Sequence, residues 1–296
     1  MAMHNSLRRP NNNTVSTAES VNIVTYNMHG FNQGIVLLNS LCDYDNYDVI
    51  YIQEHWLSPD LLNNFDYFKN NYLIFCSSSM STSLSHSILR GRPFGGLCIL
   101  ISKLFANKFN TIDCIACSDR CIIVALDKLL LVNVYLPSCR SNVEQDELCS
   151  VIDTVVDKIV EVNSLYTILG GDLNCNVELR SAAANIINSR LTALGLLHAS
   201  DTIIPRPVID YTFAVESRNA YSSIDNFYIS QSLANYSLDL KVLHDSVNFS
   251  DHLPLHLVLN SNIIGTCKNV SSLNPVVTVK NKLVNARLDW KKDKNN

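Results

Sequence analysis

Acidic, amide and imidazole side chains recur in this sequence where apolar, strand-like segments begin or end. An unpaired carboxylate beside an apolar core is costly, so each of these groups is expected to have a partner. Strand ends are also where α/β proteins place their functional sites. In chain order these residues are Asn27, Glu54, Asp172, Asn174, Asp225, Asp251 and His252.

Each of these residues also has an ordinary structural explanation. Asn27 and Asn174 suit turns, where asparagine tolerates a left-handed backbone. Glu54 would be a solvated strand end, and Asp225 would pair with a basic neighbour such as Arg218. Taken singly, the residues therefore define no chemistry, and only their ordered set is informative.

Hydrophobic periodicity predicts the elements that hold these side chains. The runs CIIVAL and LLLVNVYLP flank Asp127 and Lys128, which predicts a hairpin and a partly antiparallel sheet. Helical spacing covers Gly34 to Tyr44, Glu144 to Val162 and Glu178 to Leu194. Near-continuous apolar strands need cover on both faces, so we expect an α/β (α+β) fold of two packed mixed β-sheets flanked by helices.

Composition bounds the organisation of the chain. Its 296 residues are 47% hydrophobic and 17% charged, enough for a sizeable core. We expect a disordered N-terminal arm over 1–20, one domain over 21–260, and a polar to basic C-terminal tail or linker over 261–296. The segment from Lys280 to the last residue contains six basic and two acidic residues. The chain before Lys280 therefore contains 17 basic and 25 acidic residues. Such an acidic body can bind phosphate if a divalent cation inverts the local field.

Two classes of protein are disfavoured by the apolar runs and the cysteines. No run approaches the roughly 18–20 residues of a membrane span, and the N-terminus lacks an apolar signal core. We therefore expect no membrane partner and an intracellular location. The ten cysteines lie largely in apolar runs and suggest small buried hydrophobes rather than a zinc site or a disulfide framework.

Six short motifs in order resemble the endonuclease/exonuclease/phosphatase family, which contains the abasic-site endonucleases and the DNase I-like nucleases. They are N-M-H-G, Q-E, N-V-Y-L-P, G-G-D-L-N, S-I-D and S-D-H-L-P, between Val21 and Leu259. G-R-P-F-G-G from Gly91, Y-T-F from Tyr211 and the basic RLDWKK ending look like the endonuclease domain of non-LTR (LINE-type) retrotransposon polyproteins and its linker. The resemblance implies a four-layer, DNase I-like sandwich.

The resemblance also implies a metal site and a group that activates water. Glu54 and Asn27 would hold Mg²⁺, with Mn²⁺ as an alternative, and Asp251 would support the ion. Oxygen ligands with retained waters suit Mg²⁺. Asp172, supported by Asn174, would activate or orient the attacking water. No organic cofactor is expected.

Further residues are implied to contact the phosphate. His252, held by Asp225, would meet a non-bridging oxygen, and the Asp–His pair would favour the charged ring. His29 departs from the family, which often has an acidic residue there, and this weakens a second metal-ligand role. The residues expected to bind substrate are Tyr135, Asn174, Thr212 and Ser138.

Three functions remain open at this stage. The first is a DNA endonuclease that nicks duplex DNA to leave a 3′-hydroxyl and a 5′-phosphate. It would be of the target-priming type, in which the 3′-hydroxyl primes reverse transcription, and would belong to a longer reverse-transcriptase polyprotein. Such an enzyme would be nuclear if it acts on genomic DNA. The second is a phosphoesterase acting on inositol phosphates or lipid head groups. The third is a catalytically inactive retrotransposon fragment that acts as a binding module.

Overall fold

Two six-stranded β-sheets form the centre of the molecule. The computed structural model describes residues 20–43, 47–81, 92–139 and 141–267. The strands are β1 (Ser20–Asn27), β2 (Val49–Gln53), β3 (Tyr72–Ser77), β4 (Leu97–Ser102), β5 (Ile112–Cys117), β6 (Cys121–Leu126), β7 (Leu129–Tyr135), β8 (Tyr166–Asp172), β9 (Leu196–His198), β10 (Phe213–Val215), β11 (Ala220–Ser222), β12 (Asp225–Ser230), β13 (Ser237–Val242) and β14 (Leu255–Asn260). The α-helices are α1 (Phe31–Asp43), α2 (Lys103–Ala106), α3 (Asn142–Val162), α4 (Ala182–Ala193) and α5 (Asn262–Cys267).

Both sheets are mixed, and each has one parallel pair near its centre. The first sheet has the order β13-β14-β1-β2-β4-β3, with β1 parallel to β2. The second has the order β5-β6-β7-β8-β12-β9, with β7 parallel to β8. Strands β10 and β11 form a separate two-stranded ribbon. The carboxyl ends of the parallel strands are where a site is expected.

Three apolar clusters explain why these sequences fold as layers. The sheets pack face to face over a core that includes Ile23, Tyr51, Leu131 and Phe227. On the outer faces, α3 and α4 cover the second sheet, and α1 with the 3₁₀ helix Pro59–Phe68 covers the first. This arrangement of helix, sheet, sheet and helix confirms the predicted α/β fold class. In the described ranges no helix has the length and hydropathy to cross a membrane.

The local predictions differ from the structure mainly at helix starts. The hairpin of β6 and β7 is confirmed, and the helix predicted from Gly34 begins slightly earlier in α1. The helix predicted from Glu178 begins only at Ala182. Ser181 is the reason, because its hydroxyl accepts the Ala184 amide at 3.0 Å and caps the helix there. Glu178 instead donates its amide to Asn176 in a turn.

The domain limits stay predictions. Strand β1 begins at Ser20, and α5 lies within the expected tail, while residues 1–19 and 268–296 lie outside the described residues. The structure describes the serine-rich segment from Ser77 to Arg92 only in part, and Gly91 lies outside the described residues. Among the cysteines, Cys76 of β3 and Cys98 of β4 form a disulfide. This bond was not predicted, because the cysteines were expected to be small buried hydrophobic residues.

A buried histidine on β14 makes the stability of this fold sensitive to acid. Nε2 of His256 faces Asn22 Oδ1 at 3.1 Å, and in the described part of the molecule its Nδ1 has no hydrogen-bond partner. Burial, with the charge of Lys241, lowers the pKa of His256 to about 4. Between that value and the ordinary pKa of about 6.5, the unfolded chain binds a proton that the folded protein does not.

We therefore predict that the free energy of unfolding decreases as pH falls from 6.5 to 4, with a contribution from His256 of up to about 3 kcal/mol. His256→Gln keeps a donor for Asn22 and should flatten this part of the pH dependence. Urea denaturation at several pH values measures it. The matched control is His244→Gln at an exposed position. An equal acid loss in the two variants would contradict the assignment.

Candidate active site

The two central parallel pairs bring four of the predicted residues to one edge of the sandwich. Asn27 is the last residue of β1, and Glu54 directly follows β2. In the second sheet, Tyr135 and Asp172 end β7 and β8 and lie opposite each other in the register. Side chains from both sheets therefore meet across the layer between them.

Hydrogen bonds join these four side chains. The Asn27 amide donates from Nδ2 to Glu54 Oε1 at 3.1 Å and to Asp172 Oδ2 at 3.0 Å. The Tyr135 hydroxyl donates to Glu54 Oε1 at 2.8 Å. Burial and the charge of Glu54 raise the pKa of Tyr135 far above its usual range, so the phenol stays a donor. Asn27 and Asp172 are buried, whereas Glu54 and Tyr135 are half-buried.

A left-handed backbone aims several side chains at this edge. Positive φ values occur at His29 (48°), Glu54 (54°), Trp56 (55°) and Asn174 (49°). Such values are uncommon outside glycine and tend to cluster at functional sites. The turn at Glu54 allows the Trp56 indole to donate from Nε1 to Glu54 Oε2 at 2.9 Å. Both oxygens of Glu54 thus accept hydrogen bonds, all from uncharged donors.

Asp172 is held by the turn that follows β8. The amide of Asn174 donates to Asp172 Oδ1 at 2.8 Å, and its side chain donates to the Leu136 carbonyl at 2.9 Å. Gly171 has φ of 139°, and a Cβ there would lie 2.0 Å from the Val134 carbonyl oxygen, so only glycine fits. Burial and the charge of Asp225 raise the pKa of Asp172 to about 7. This carboxyl group can therefore take up a proton near neutral pH.

Asp225 and His252 form a buried ion pair beside Asp172. His252 Nδ1 lies 2.8 Å from Asp225 Oδ2, and both residues are at least 96% buried. Burial lowers the pKa of His252, but the charge and hydrogen bond of Asp225 outweigh it and raise the pKa to about 9. The ring is therefore charged at neutral pH. Asp225 pairs with this ring and not with Arg218.

The remaining predicted residues have other surroundings. Asp251 contacts His29, with Oδ1 and Nδ1 2.8 Å apart, and the His29 ring packs on Trp56 at 4.8 Å. Thr212 is fully buried, and its hydroxyl accepts the amides of Ile224 and Asp225 at 3.0 Å each. Its contact with the substrate stays a prediction.

Ser138 is half-buried between β7 and α3. Across the described ranges, its hydroxyl has no hydrogen bond to any residue of this edge. Its substrate contact stays a prediction.

The donor set fits a divalent cation. Four carboxylates, those of Glu54, Asp172, Asp225 and Asp251, lie along this edge with two imidazoles, and Asp225 Oδ1 is buried without a hydrogen-bond partner in the described structure. Hard oxygen ligands of this kind suit Mg²⁺ or Mn²⁺.

One trio also has the spacing of a metal site. Asp172, Asp225 and His252 each place a ligand-type atom within 4.8 Å of the others. However, Nδ1 of His252 is engaged with Asp225 and the ring is charged, and a metal ligand must be the neutral imidazole. The charged His252 ring is therefore the member of the trio that suits a phosphate oxygen, whereas the carboxylates of Asp172 and Asp225 suit a cation.

Sequence reasoning missed Trp56 and the contact between His29 and Asp251. Both depend on backbone turns with positive φ, which the sequence does not signal at histidine or tryptophan. It also missed Ser250, whose hydroxyl donates to the Asn27 carbonyl at 2.7 Å and accepts the His252 amide at 3.0 Å. The one available signal was the serine directly before the D-H pair.

Comparison with known proteins identifies the fold. No family model matches the sequence, and no curated protein does. Among solved structures, the AP endonuclease LMAP from Leishmania major has a TM-score of 0.66 at 15% identity, over 86% of this chain and 92% of its own. An AP endonuclease from Archaeoglobus fulgidus has a TM-score of 0.60 at 16% identity, over 81% of this chain and 99% of its own. The 3′ phosphatase NExo from Neisseria, bound to a product DNA hairpin, has a TM-score of 0.58 at 16% identity, over 80% of this chain and 98% of its own. The chain shares the DNase I-like fold of these proteins.

We predict that loss of the ion pair lowers the pKa of His252. Asp225→Asn removes the largest charge that raises the pKa and leaves only the smaller effects of Asp172 and Asp251 against burial, so the pKa of His252 should fall clearly below about 9. NMR of ¹³C-labelled histidine, recorded in EDTA, measures this value. The control Asp60→Asn, at an exposed position, should leave the pKa unchanged. An unaltered pKa in Asp225→Asn would contradict the pairing.

Proposed function

We propose that this protein is a Mg²⁺-dependent DNA endonuclease that nicks duplex DNA. The observation that carries the proposal is the Asn27 amide, which joins the carboxylates of Glu54 and Asp172 beside the Asp225–His252 pair. Two carboxylates within reach of one amide, with no basic side chain hydrogen-bonded to either among the described residues, form a set that a cation would stabilise.

Glu54 and Asn27 would hold the cation. Glu54 is half-buried, so a partly hydrated ion can reach it, and its three hydrogen bonds fix the direction of the carboxylate. When bound, Mg²⁺ supplies positive charge that neutralises the phosphodiester and the developing charge of the reaction. Asp251, which contacts His29, would act on the ion only from outside its immediate ligands.

Asp172 is the group that we assign to the attacking water. Its pKa of about 7 matches a base that must accept a proton near neutral pH. Oδ2 faces the Asn27 amide, and the backbone amide of Asn174 holds Oδ1, so the carboxylate cannot rotate freely. The water gives its proton to Asp172 as its oxygen bonds to phosphorus.

His252 and Tyr135 are assigned to the phosphate. With Nδ1 facing Asp225, the charged His252 ring directs its Nε2 proton to a non-bridging oxygen, where negative charge develops. The Tyr135 hydroxyl, whose single proton is donated to Glu54 in this structure, would turn to the phosphate as the second donor. The bond from phosphorus to the 3′ oxygen breaks, and this oxygen takes a proton from solvent. Asp172 later returns its proton to solvent, and the products are a 3′-hydroxyl and a 5′-phosphate.

DNA is the substrate class that the likenesses favour. The solved structures with this fold are named as AP endonucleases and as a 3′ phosphatase bound to product DNA. The G-R-P-F-G-G and Y-T-F segments support a retrotransposon-type role, in which the 3′-hydroxyl primes reverse transcription as part of a longer polyprotein. Such an enzyme would act in the nucleus. The two alternative functions are a phosphoesterase acting on inositol phosphates or lipid head groups, and an inactive binding module. The assays below are designed to distinguish them from a DNA endonuclease.

We predict that the purified protein converts supercoiled plasmid to the nicked form with Mg²⁺ and not with EDTA. Asp172→Asn and His252→Gln should each lower the nicking rate by about 10²- to 10⁴-fold, the range of a lost acid–base group. The matched control is Asp153→Asn on the outer face of α3, where the carboxylate pairs with Arg190, and this variant should retain the rate.

Defined substrates separate the alternatives. A labelled duplex, the same duplex with an abasic-site analogue, and one ending in 3′-phosphate would be compared with an inositol polyphosphate. Extension of the nick by a DNA polymerase would verify the 3′-hydroxyl. Phosphate release from the inositol compound with intact DNA would favour the second function, and no turnover of any substrate by folded protein would favour the binding module.

A further inference from the structure

A second layer of polar side chains lies directly beneath the candidate active site. Thr25, Gln53 and Asn133 are all fully buried between the two sheets. The surrounding interface is apolar and includes Ile23 and Leu131. Buried amides in such a position need a complete set of hydrogen bonds.

The three side chains form one bridge between the sheets. Gln53 donates from Nε2 to Asn133 Oδ1 at 2.6 Å and to Thr25 Oγ1 at 3.0 Å. Asn133 donates from Nδ2 to the carbonyls of Ile52 and Cys98, at 3.0 and 2.9 Å. A single side chain of β7 in the second sheet is thus hydrogen-bonded to β2 and β4 in the first.

On β1 and β7 the bridge residues stand one step below the site residues, and on β2 Gln53 lies opposite Asn27 in the register. Thr25 lies two residues before Asn27, and Asn133 two residues before Tyr135, so each shares a face of its strand with the residue above it. Gln53 directly precedes Glu54. The three strands that carry the bridge therefore also position Asn27, Glu54 and Tyr135.

Packing alone would not require this bridge. Apolar side chains of similar shape could fill the same space, and a change that makes both partners of a buried hydrogen bond apolar can be nearly neutral for stability. The two carbonyls that accept from Asn133 would lose that donor. Apolar contacts are also non-directional and tolerate small sliding of one sheet on the other. Hydrogen bonds are directional, so the bridge fixes the offset of the sheets at this level.

We propose that Gln53 and Asn133 are positioning residues that hold Glu54 of the first sheet in register with Tyr135 and Asp172 of the second. The inference rests on the proposed function for its effect on catalysis, but its geometric part does not. Sliding of the sheets would separate Glu54 from the Tyr135 hydroxyl. Misplacement of reacting groups by about 1 Å can lower a rate about 100-fold.

The test replaces the bridge by apolar side chains of similar shape, in the triple variant Thr25→Val/Gln53→Met/Asn133→Leu. We expect it to fold, with kcat for plasmid nicking lowered about 10- to 100-fold and KM changed less than about threefold. The matched control is Tyr51→Phe, which removes another hydrogen bond between the sheets, from the Tyr51 hydroxyl to the Ile168 carbonyl at 3.0 Å. Tyr51→Phe should lower thermal stability and leave kcat within about threefold.

A second readout follows Glu54 without catalysis. The Trp56 indole donates to Glu54, and Trp56 and Trp290 are the two tryptophans of the sequence, so Trp290→Phe leaves Trp56 as the sole reporter. In that background, the triple variant should shift the Trp56 emission and its quenching by Mn²⁺, whereas Tyr51→Phe should change neither. If the triple variant does not fold, Gln53→Met alone is measured in the same way and should lower kcat by about tenfold.

The outcomes separate the two proposals. A wild-type protein that nicks DNA, with kcat unchanged in the bridge variants, would overturn the positioning role. A wild-type protein that does not nick DNA would refute the proposed function, and the Trp56 emission then decides on the bridge. A shift supports the positioning role, and an unchanged emission overturns it.

Discussion

The site depends on one amide that lies between two carboxylates from different sheets. Asn27 Nδ2 is 3.1 Å from Glu54 and 3.0 Å from Asp172, and it is the group through which the first sheet contacts the acidic end of β8. One neutral donor does not balance two negative charges in a buried setting. The arrangement therefore favours a cation. Burial and the charge of Asp225 raise the pKa of Asp172 to about 7, so this carboxyl group also has an increased affinity for a proton.

The fold makes this contact available by placing a parallel pair at the centre of each sheet. Parallel strands end at the same edge, so Asn27 and Glu54 come from one pair and Tyr135 and Asp172 from the other. The apolar core between the sheets supplies cohesion, and the polar bridge beneath the site supplies a fixed offset. The Asp225–His252 pair adds a charged ring next to the same edge, where it can meet an anion without competing for the cation.

Much of this could be predicted from the sequence, because strand ends and apolar runs are local signals. The layered fold, the hairpin of β6 and β7, and the residues Asn27, Glu54, Asp172 and Asp225 came from such signals together with the resemblance. Thr212 came from the same resemblance, and its contact with the substrate stays a prediction. Contacts that depend on backbone turns could not be predicted, and Trp56 is the clearest case, since its indole reaches Glu54 only because both residues adopt a left-handed conformation.

In the proposed function, Glu54 and Asn27 hold a divalent cation beside Asp172. Anomalous diffraction from crystals soaked in Mn²⁺ locates that cation. We expect one strong peak within about 2.5 Å of a Glu54 carboxylate oxygen, with an Asn27 oxygen as a neighbour. A peak held instead by Asp172, Asp225 and His252, or no peak at this edge in saturating Mn²⁺, would contradict it.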